Sequence, residues 1–259
     1  MSLYAVMNAV SSPEESASRR SEILTALHHN DGLPDCGKVD SRSVDRLVYS
    51  IASTTMKDPT KSESIPIAEE QLRKVTIGEP NVVNSTIAIV DYDPVWPVLF
   101  EEEARRIRAA LGERVLRVEH VGSTSVCRLA AKPIIDIVLV VADAADEAAY
   151  APALEAAGYI LRIREPDWYQ HRMFRGPDRD INLHCFSHGC PEIERMLVFR
   201  DWLRANDVDR LLYKRTKREL AAKTWKYVQN YADAKTAVVE EILARAQNAS
   251  GSKVRDVAT

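Results

Sequence analysis

The chain has 259 residues, 46% of them hydrophobic, and its 35 Lys and Arg residues nearly balance 38 Asp and Glu residues, for a net charge of −3. This length predicts a globular chain that buries one good core, and the near-neutral charge gives no global basic field, so nucleic acid is not predicted as a partner. The sequence shows no apolar run of membrane-spanning length and no Sec-type signal, which predicts a cytoplasmic protein. The four cysteines have no framework spacing, which favours reduced thiols over a disulfide scaffold.

Composition divides the chain into three parts. Residues 1–66 are rich in Ser, Asp, Thr and Lys and carry only short apolar runs, so we interpret them as a disordered extension with one weak helix near 45–54. Residues 67–248 form the predicted folded domain, and 249–259 a disordered tail. The oligomeric state is left open by the sequence.

Periodicity in the folded part predicts a series of alternating elements. The clearest helix has Asp93 as its cap and Pro94 at its first position, and Gly112 ends it. The other predicted elements are a helix over 67–79, strands over 85–90, 115–121, 134–141 and 159–163, a helix over 143–157, a hairpin of 168–174 with 180–186, and helices over 192–205 and 208–247, the last divided near 230–234. This order predicts an α+β fold, a mixed β-sheet with packed helices and a C-terminal helical part.

Two neighbouring segments carry the residues with the most chemical character. The strand over 115–121 runs into a Gly-Ser turn at Gly122 and Ser123, and the strand over 134–141 is nearly all β-branched or leucine except for Asp136. A strand of this composition is typical of one buried on both faces, and an acid inside it is costly unless it is paired, protonated or bound to a cation. The pattern therefore suggests a phosphate held next to a metal ligand, although a tight turn and a structural aspartate explain it equally well.

Several motifs together resemble the GrpB family, which is similar to the DNA polymerase β-type nucleotidyltransferases. They are Val90-Asp91-Tyr92-Asp93-Pro94-Val95-Trp96-Pro97, His120-Val121-Gly122-Ser123-Thr124-Ser125, Lys132-Pro133-Ile134-Ile135-Asp136-Ile137, Asn182-Leu183-His184 and the tail patterns over 213–217 and 231–235. In the superfamily, the Gly-Ser turn binds a triphosphate, and two carboxylates two residues apart, with a third on a later strand, hold two magnesium ions. The resemblance thus implies Mg²⁺ as a cofactor, with Asp136 as its ligand.

The sequence departs from that pattern at the second carboxylate. Alternate strand residues share a face, and the positions two away from Asp136 are Ile134 and Val138. The later strand offers Asp180, Asn182 and His184 on one face, so one of them is a candidate to complete the site. The family's Val-Pro-Gly-Leu is also replaced by Val126-Cys127-Arg128-Leu129, which changes the stiffness of the loop and adds an arginine.

The expected site follows from these motifs. The catalytic candidates are Asp136 and His184, and the nucleotide- or phosphate-binding candidates are Gly122, Ser123, Thr124, Ser125, Lys132, Arg172 and Lys217. Lysine and arginine suit phosphate, although a charged residue on a strand edge or helix face is more often only solvated. The expected function is binding of a nucleoside triphosphate and transfer of a nucleotide to a small acceptor; the alternative is a non-catalytic module that binds a nucleotide or another phosphorylated small molecule.

Overall fold

A computed structural model of the chain describes residues 69–178 and 180–256, with the backbone alone for 250–256. The predicted helix near 45–54 lies outside these residues. The helices are α1 (Glu69–Val75), α2 (Val95–Leu111), α3 (Glu147–Ala156), α4 (Pro191–Ala205), α5 (Asp207–Ala221), α6 (Val228–Asp233) and α7 (Thr236–Asp256). The strands are β1 (Val82–Ser85), β2 (Arg117–Val121), β3 (Ile135–Val141), β4 (Ile160–Glu165), β5 (His171–Arg175), β6 (Ile181–Ser187) and β7 (Trp225–Tyr227).

Five of the strands form one mixed sheet in the order β2-β3-β6-β5-β4. The central pair, β3 and β6, is parallel, and the other neighbours are antiparallel. β1 and β7 form a separate antiparallel pair. This arrangement confirms the predicted α+β class with its mixed sheet, packed helices and C-terminal helical part.

Strand β3, in the interior of the sheet, is buried on both faces, as its composition predicts. On one face, Ile135, Ile137 and Leu139 pack with α2 and α3 in the main core. On the other face, Val138 and Val140 pack against α4. Asp136 shares this second face because side chains alternate along a strand, so the single acid of β3 points toward the C-terminal helices.

The C-terminal helices also cover the loop that follows the Gly-Ser turn. Val126 and Leu129 are buried with Leu203 of α4, Tyr213 of α5 and Ile242 of α7. The turn is therefore enclosed between the sheet and the helical part. Among the described residues, no helix has the length and apolar character needed to cross a membrane.

Some predicted elements differ from the structure. The strand expected over 85–90 is wrong, because β1 ends at Ser85 and Val90 forms only an isolated bridge with Ala131. The break predicted near 230–234 is confirmed, because α6 ends at Asp233 and α7 begins at Thr236. An earlier break was not predicted, since β7 separates α5 from α6, and α7 continues to Asp256, into the segment predicted to be a disordered tail.

The cysteines differ in part from the expectation of reduced thiols. Cys185 and Cys190 are free and buried, as expected. Cys127 is disulfide-bonded, so the expectation is wrong for this residue. The absence of framework spacing argues against a scaffold of several bridges but does not exclude a single one.

Candidate functional site

The Gly-Ser turn and Asp136 are in direct contact. Val121, the last residue of β2, pairs with Asp136 across the antiparallel ladder, so the next residue, Gly122, lies over the carboxylate. Gly122 has φ 68° and ψ −171°, and a Cβ at this position would lie 2.4 Å from Asp136 Oδ2. Only glycine tolerates both this backbone conformation and this approach.

Asp136 is held by the two residues of β6 that the sequence placed on one face. Asn182 Nδ2 donates a hydrogen bond of 2.8 Å to Asp136 Oδ1, and His184 Nε2 lies 3.9 Å from the same oxygen. The Asp136 side chain is 28% exposed. Although burial opposes its ionisation, the neighbouring His184 and the Asn182 amide lower the pKa of Asp136 below its usual value.

Asp180 does not join this group. It lies just before β6, and its Oδ1 accepts a hydrogen bond of 2.7 Å from Arg175. The question left by the sequence is thus answered in favour of Asn182 and His184, which flank Asp136, over Asp180.

These residues line a cavity of about 160 Å³ between the sheet and the helical part. Its polar wall comes from Gly122, Ser123, Asp136, His171, Asn182 and His184. The helices contribute Arg195, Met196, Phe199, Arg200, Leu203, Tyr213, Val228, Tyr231, Ala232, Thr236, Val239 and Glu240, and loops contribute Val126, Trp168 and Lys235, the last from the turn between α6 and α7. The cavity therefore combines two acids, Asp136 and Glu240, and several cationic side chains with a largely apolar and aromatic wall.

The lysines near the turn are held in surroundings that disfavour their charge. Burial lowers the pKa of Lys132 to about 7, with added repulsion from Lys235, and its Nζ has no hydrogen-bond partner among the described residues. Burial also lowers the pKa of Lys235 to about 8, although Asp136 opposes this shift. A bound anion would relieve the repulsion and raise both pKa values.

Lys217 is hydrogen-bonded to the Gly-Ser turn and to the loop that follows it. Its buried Nζ donates hydrogen bonds to Ser123 Oγ, at 2.8 Å, and to the carbonyl oxygen of Ala130. Burial lowers its pKa well below the usual value. Neither Lys217 nor Lys132 lines the cavity.

Thr124 and Ser125 are used within the turn. Thr124 Oγ1 donates to the carbonyl oxygen of Ile134 at 2.9 Å and contacts His120 Nε2 at 3.1 Å. Ser125 Oγ donates to the carbonyl oxygen of Gly122 at 2.6 Å. Neither residue lines the cavity. Their predicted phosphate contacts are therefore corrected to a structural role, because both hydroxyls already donate to backbone carbonyls.

Arg172 lies on the wrong face of its strand for the predicted phosphate contact. His171 lines the cavity, and its neighbour Arg172 points to the opposite face because side chains alternate. There its guanidinium donates to Glu147 and to the carbonyl oxygen of Gln170. The prediction that Arg172 binds the ligand is thus corrected.

The donor set does not fit a resident pair of metal ions. Ile134 and Val138 are both buried and apolar, so Asp136 has no second carboxylate beside it on β3. Within residues 69–178 and 180–256, no three His, Cys, Asp or Glu side chains are grouped to hold a metal ion. The two-magnesium site of the superfamily therefore does not fit the residues of this cavity.

The structure adds cationic residues that the sequence analysis missed. Lys235 belongs to a tail pattern that was noted only for the family resemblance, and its Nζ lies 4.6 Å from the centre of the Tyr231 ring. Arg195 and Arg200 project from α4 into the cavity wall. Arg200 also donates to the carbonyl oxygen of His120 at 3.0 Å, which fixes α4 against the turn. The position of Arg195 and Arg200 at the cavity depends on how α4 packs against the sheet, which no local sequence pattern indicates.

A family model, several relatives and a solved structure match the chain. The family model described as GrpB protein matches residues 86–245, more than half of the chain and within the predicted domain of 67–248. The chain belongs to the GrpB family. This GrpB chain is 60% identical over 191 residues to a UPF0157 protein of Halalkalibacterium halodurans, covering 74% of this chain and 97% of the relative.

Two further relatives support the same assignment. A UPF0157 protein of Streptomyces coelicolor is 46% identical over 170 residues, covering 66% of the GrpB chain and 88% of the relative. The crystal structure of the conserved protein GrpB from Enterococcus faecalis aligns with a TM-score of 0.57 and 33% identity, covering 63% of this chain and 99% of that one. The fold is thus that of the family.

Proposed function

We propose that this GrpB protein is a nucleotidyltransferase-like enzyme that binds the phosphates of a nucleotide in the cavity and transfers a nucleotide to a small acceptor. The observation that carries the proposal is the convergence of Asp136, Asn182 and His184 on the Gly122 turn at the wall of one cavity. A charged acid and an imidazole at the edge of a cavity are suited to handle the proton of an acceptor hydroxyl.

The surrounding charges support a phosphorylated ligand. Lys235 lines the cavity, and Lys132 lies near it with a buried and unpaired Nζ. Two lysines whose charge is disfavoured by burial and by mutual repulsion gain from a multiply charged anion, because the anion offsets both effects. The aromatic side chains of the helical wall give an apolar surface for the remainder of the ligand.

A second candidate function is binding of a smaller phosphorylated metabolite without turnover. Two observations favour it. Asp136 lacks a second carboxylate on β3, and the cavity of about 160 Å³ is smaller than the roughly 300–1,000 Å³ of most small-molecule sites. In this candidate, the turn and the lysines bind the phosphate, and the acid orients the ligand.

One experiment separates the two candidates. The full chain is incubated with each nucleoside triphosphate and magnesium, with pyrophosphate release and thermal stabilisation measured in parallel. The enzyme proposal predicts pyrophosphate release that is lost in Asp136→Asn, whose side chain has the same shape without the charge, and kept in the control Asp180→Asn, outside the cavity. Stabilisation without release supports the binding module, and absence of both contradicts the enzyme proposal.

A further inference from the structure

A row of three hydrogen-bonded side chains runs through the sheet from β4 to the cavity. Glu165 Oε2 lies 2.7 Å from His171 Nδ1, and His171 Nε2 lies 3.0 Å from His184 Nδ1. The last atom of the row, His184 Nε2, faces Asp136 Oδ1 at 3.9 Å. The side chains of Glu165 and His171 are each 1% exposed, so the row connects a buried acid to the wall of the cavity.

With both histidines neutral, the two hydrogen bonds allow only two arrangements of protons, because each neutral ring has one N–H donor and one acceptor nitrogen. When Glu165 is ionised, Nδ1 of each histidine carries hydrogen and Nε2 of His184 presents a lone pair to the cavity. When Glu165 is neutral, it donates to His171 and both rings carry hydrogen on Nε2. The two arrangements differ by one proton, which enters or leaves at His184 Nε2.

We propose that Glu165, His171 and His184 form a proton relay, in which His184 removes the proton of the acceptor hydroxyl and Glu165 receives one at the far end. This inference rests on the proposed transfer reaction. The O–H bond of the acceptor breaks, and its proton is transferred to His184 Nε2. The proton on His184 Nδ1 passes to His171 Nε2, and the proton on His171 Nδ1 passes to Glu165. The electron pair left on the acceptor oxygen forms the new bond to phosphorus as pyrophosphate departs.

The surroundings of Glu165 favour its role as the proton store. Its other oxygen, Oε1, is buried and accepts no hydrogen bond within residues 69–178 and 180–256, so the ionised form carries an uncompensated charge. Burial raises the pKa of Glu165 to about 8. The neighbouring His171 is enclosed by the rings of Trp168 and Phe186, at 5.3 and 4.7 Å between centroids. These ring contacts shield the hydrogen bonds of His171 from water.

Other charged groups act on the row from the packed elements. Asp136 of β3 faces His184, and Glu192 of α4 lies within electrostatic range of it. Burial, together with His184 and Arg172 of β5, lowers the pKa of His171. A neutral His171 is required for the relay, since a ring with two hydrogens has no acceptor nitrogen.

The test needs no ligand. Nitrogen-15 NMR of histidine-labelled full-length protein reports which ring nitrogen of His184 carries hydrogen. We expect His184 to change from the Nε2–H to the Nδ1–H form as the pH rises through about 8, and Glu165→Gln, which cannot ionise, to abolish this change. Glu192→Gln, a buried acid outside the row, is the matched control and keeps it. A wild-type tautomer that does not change between pH 6 and 10, or a change that persists in Glu165→Gln, overturns the relay; the wild-type measurement decides even if the variant fails to fold.

A second measurement separates the relay from the proposed function. With nucleotide and acceptor present, Glu165→Gln is expected to lower kcat by about 10²–10⁴-fold, the usual contribution of general base catalysis, with nucleotide binding unchanged. An unchanged kcat overturns the relay and leaves the transferase proposal standing. Failure of the wild type to bind nucleotide instead contradicts the proposed function, whatever the tautomers of His184 show.

Discussion

Replacing Gly122 by alanine tests the contact on which the site depends. The backbone at φ 68° and ψ −171° is nearly restricted to glycine, so the strain costs about 1–3 kcal/mol. The added Cβ would lie 2.4 Å from Asp136 Oδ2, so the carboxylate must move and lose the hydrogen bond from Asn182, for roughly 1.5–3 kcal/mol. Together, Gly122→Ala is expected to lower the free energy of unfolding by about 2.5–6 kcal/mol.

A matched glycine separates strain from the clash. Gly112 also has a positive φ, 58° with ψ −130°, but a Cβ there meets no atom of the described part of the chain within 4 Å. In urea denaturation, Gly112→Ala should therefore show only the backbone cost, about 1–3 kcal/mol. In an Asp136→Ala background, which lacks the Oδ2 and Cγ atoms that the new Cβ would meet, the loss of unfolding free energy caused by Gly122→Ala should fall toward that caused by Gly112→Ala. If Gly122→Ala costs no more than Gly112→Ala in the wild-type background, the reasoning about the turn and the acid is refuted.

Three further predictions concern the same region. Burial in the folded state raises the pKa of Glu165 from about 4.5 to about 8, so the stabilisation by protonated Glu165 is complete below pH 4.5 and is lost as the pH rises to 8. In urea denaturation, the difference in the free energy of unfolding between the wild type and Glu165→Gln should therefore narrow over this pH range. Arg204 donates two hydrogen bonds to the carbonyl oxygen of Ser125, so Arg204→Ala should lower the free energy of unfolding by about 0.5–1.5 kcal/mol. Arg215 forms an exposed ion pair with Glu219, so the control Arg215→Ala should change it by no more than about 0.5 kcal/mol. Equal effects of the two substitutions would contradict the contribution of the Arg204 contact. Affinity for a phosphorylated ligand, measured calorimetrically, should fall above about pH 8 as Lys235 loses its charge, and an affinity that rises there would contradict its role.

The local part of the site could be predicted from the sequence because it depends on strand periodicity. The buried strand with its single acid, the turn that precedes it and the shared face of Asn182 and His184 all follow from alternation. The same alternation explains why Arg172 does not reach the cavity. Its neighbour His171 lies on the cavity face of β5, so Arg172 lies on the opposite face, where it pairs with Glu147, 25 residues away in the sequence.

The remainder of the site depends on packing between distant elements. Lys235 comes to the cavity only because α6 and α7 fold over the turn, and no spacing in the sequence links it to Asp136. The contact between Glu165 and His171 requires the register of β4 against β5, which places the two residues opposite each other. Tertiary geometry of this kind is set by the whole core, so local patterns did not predict it.

The central claim, that the cavity binds a phosphorylated ligand, is tested most directly by calorimetric titration of the full chain with nucleoside triphosphates at pH 7. The account predicts binding to the wild type, about tenfold weaker binding to Lys235→Met, which corresponds to ~1.4 kcal/mol, and unchanged binding to Lys226→Met, whose lysine pairs with Glu69 on the surface. Equal affinity of the wild type and both variants, or no binding to any of them, would contradict it.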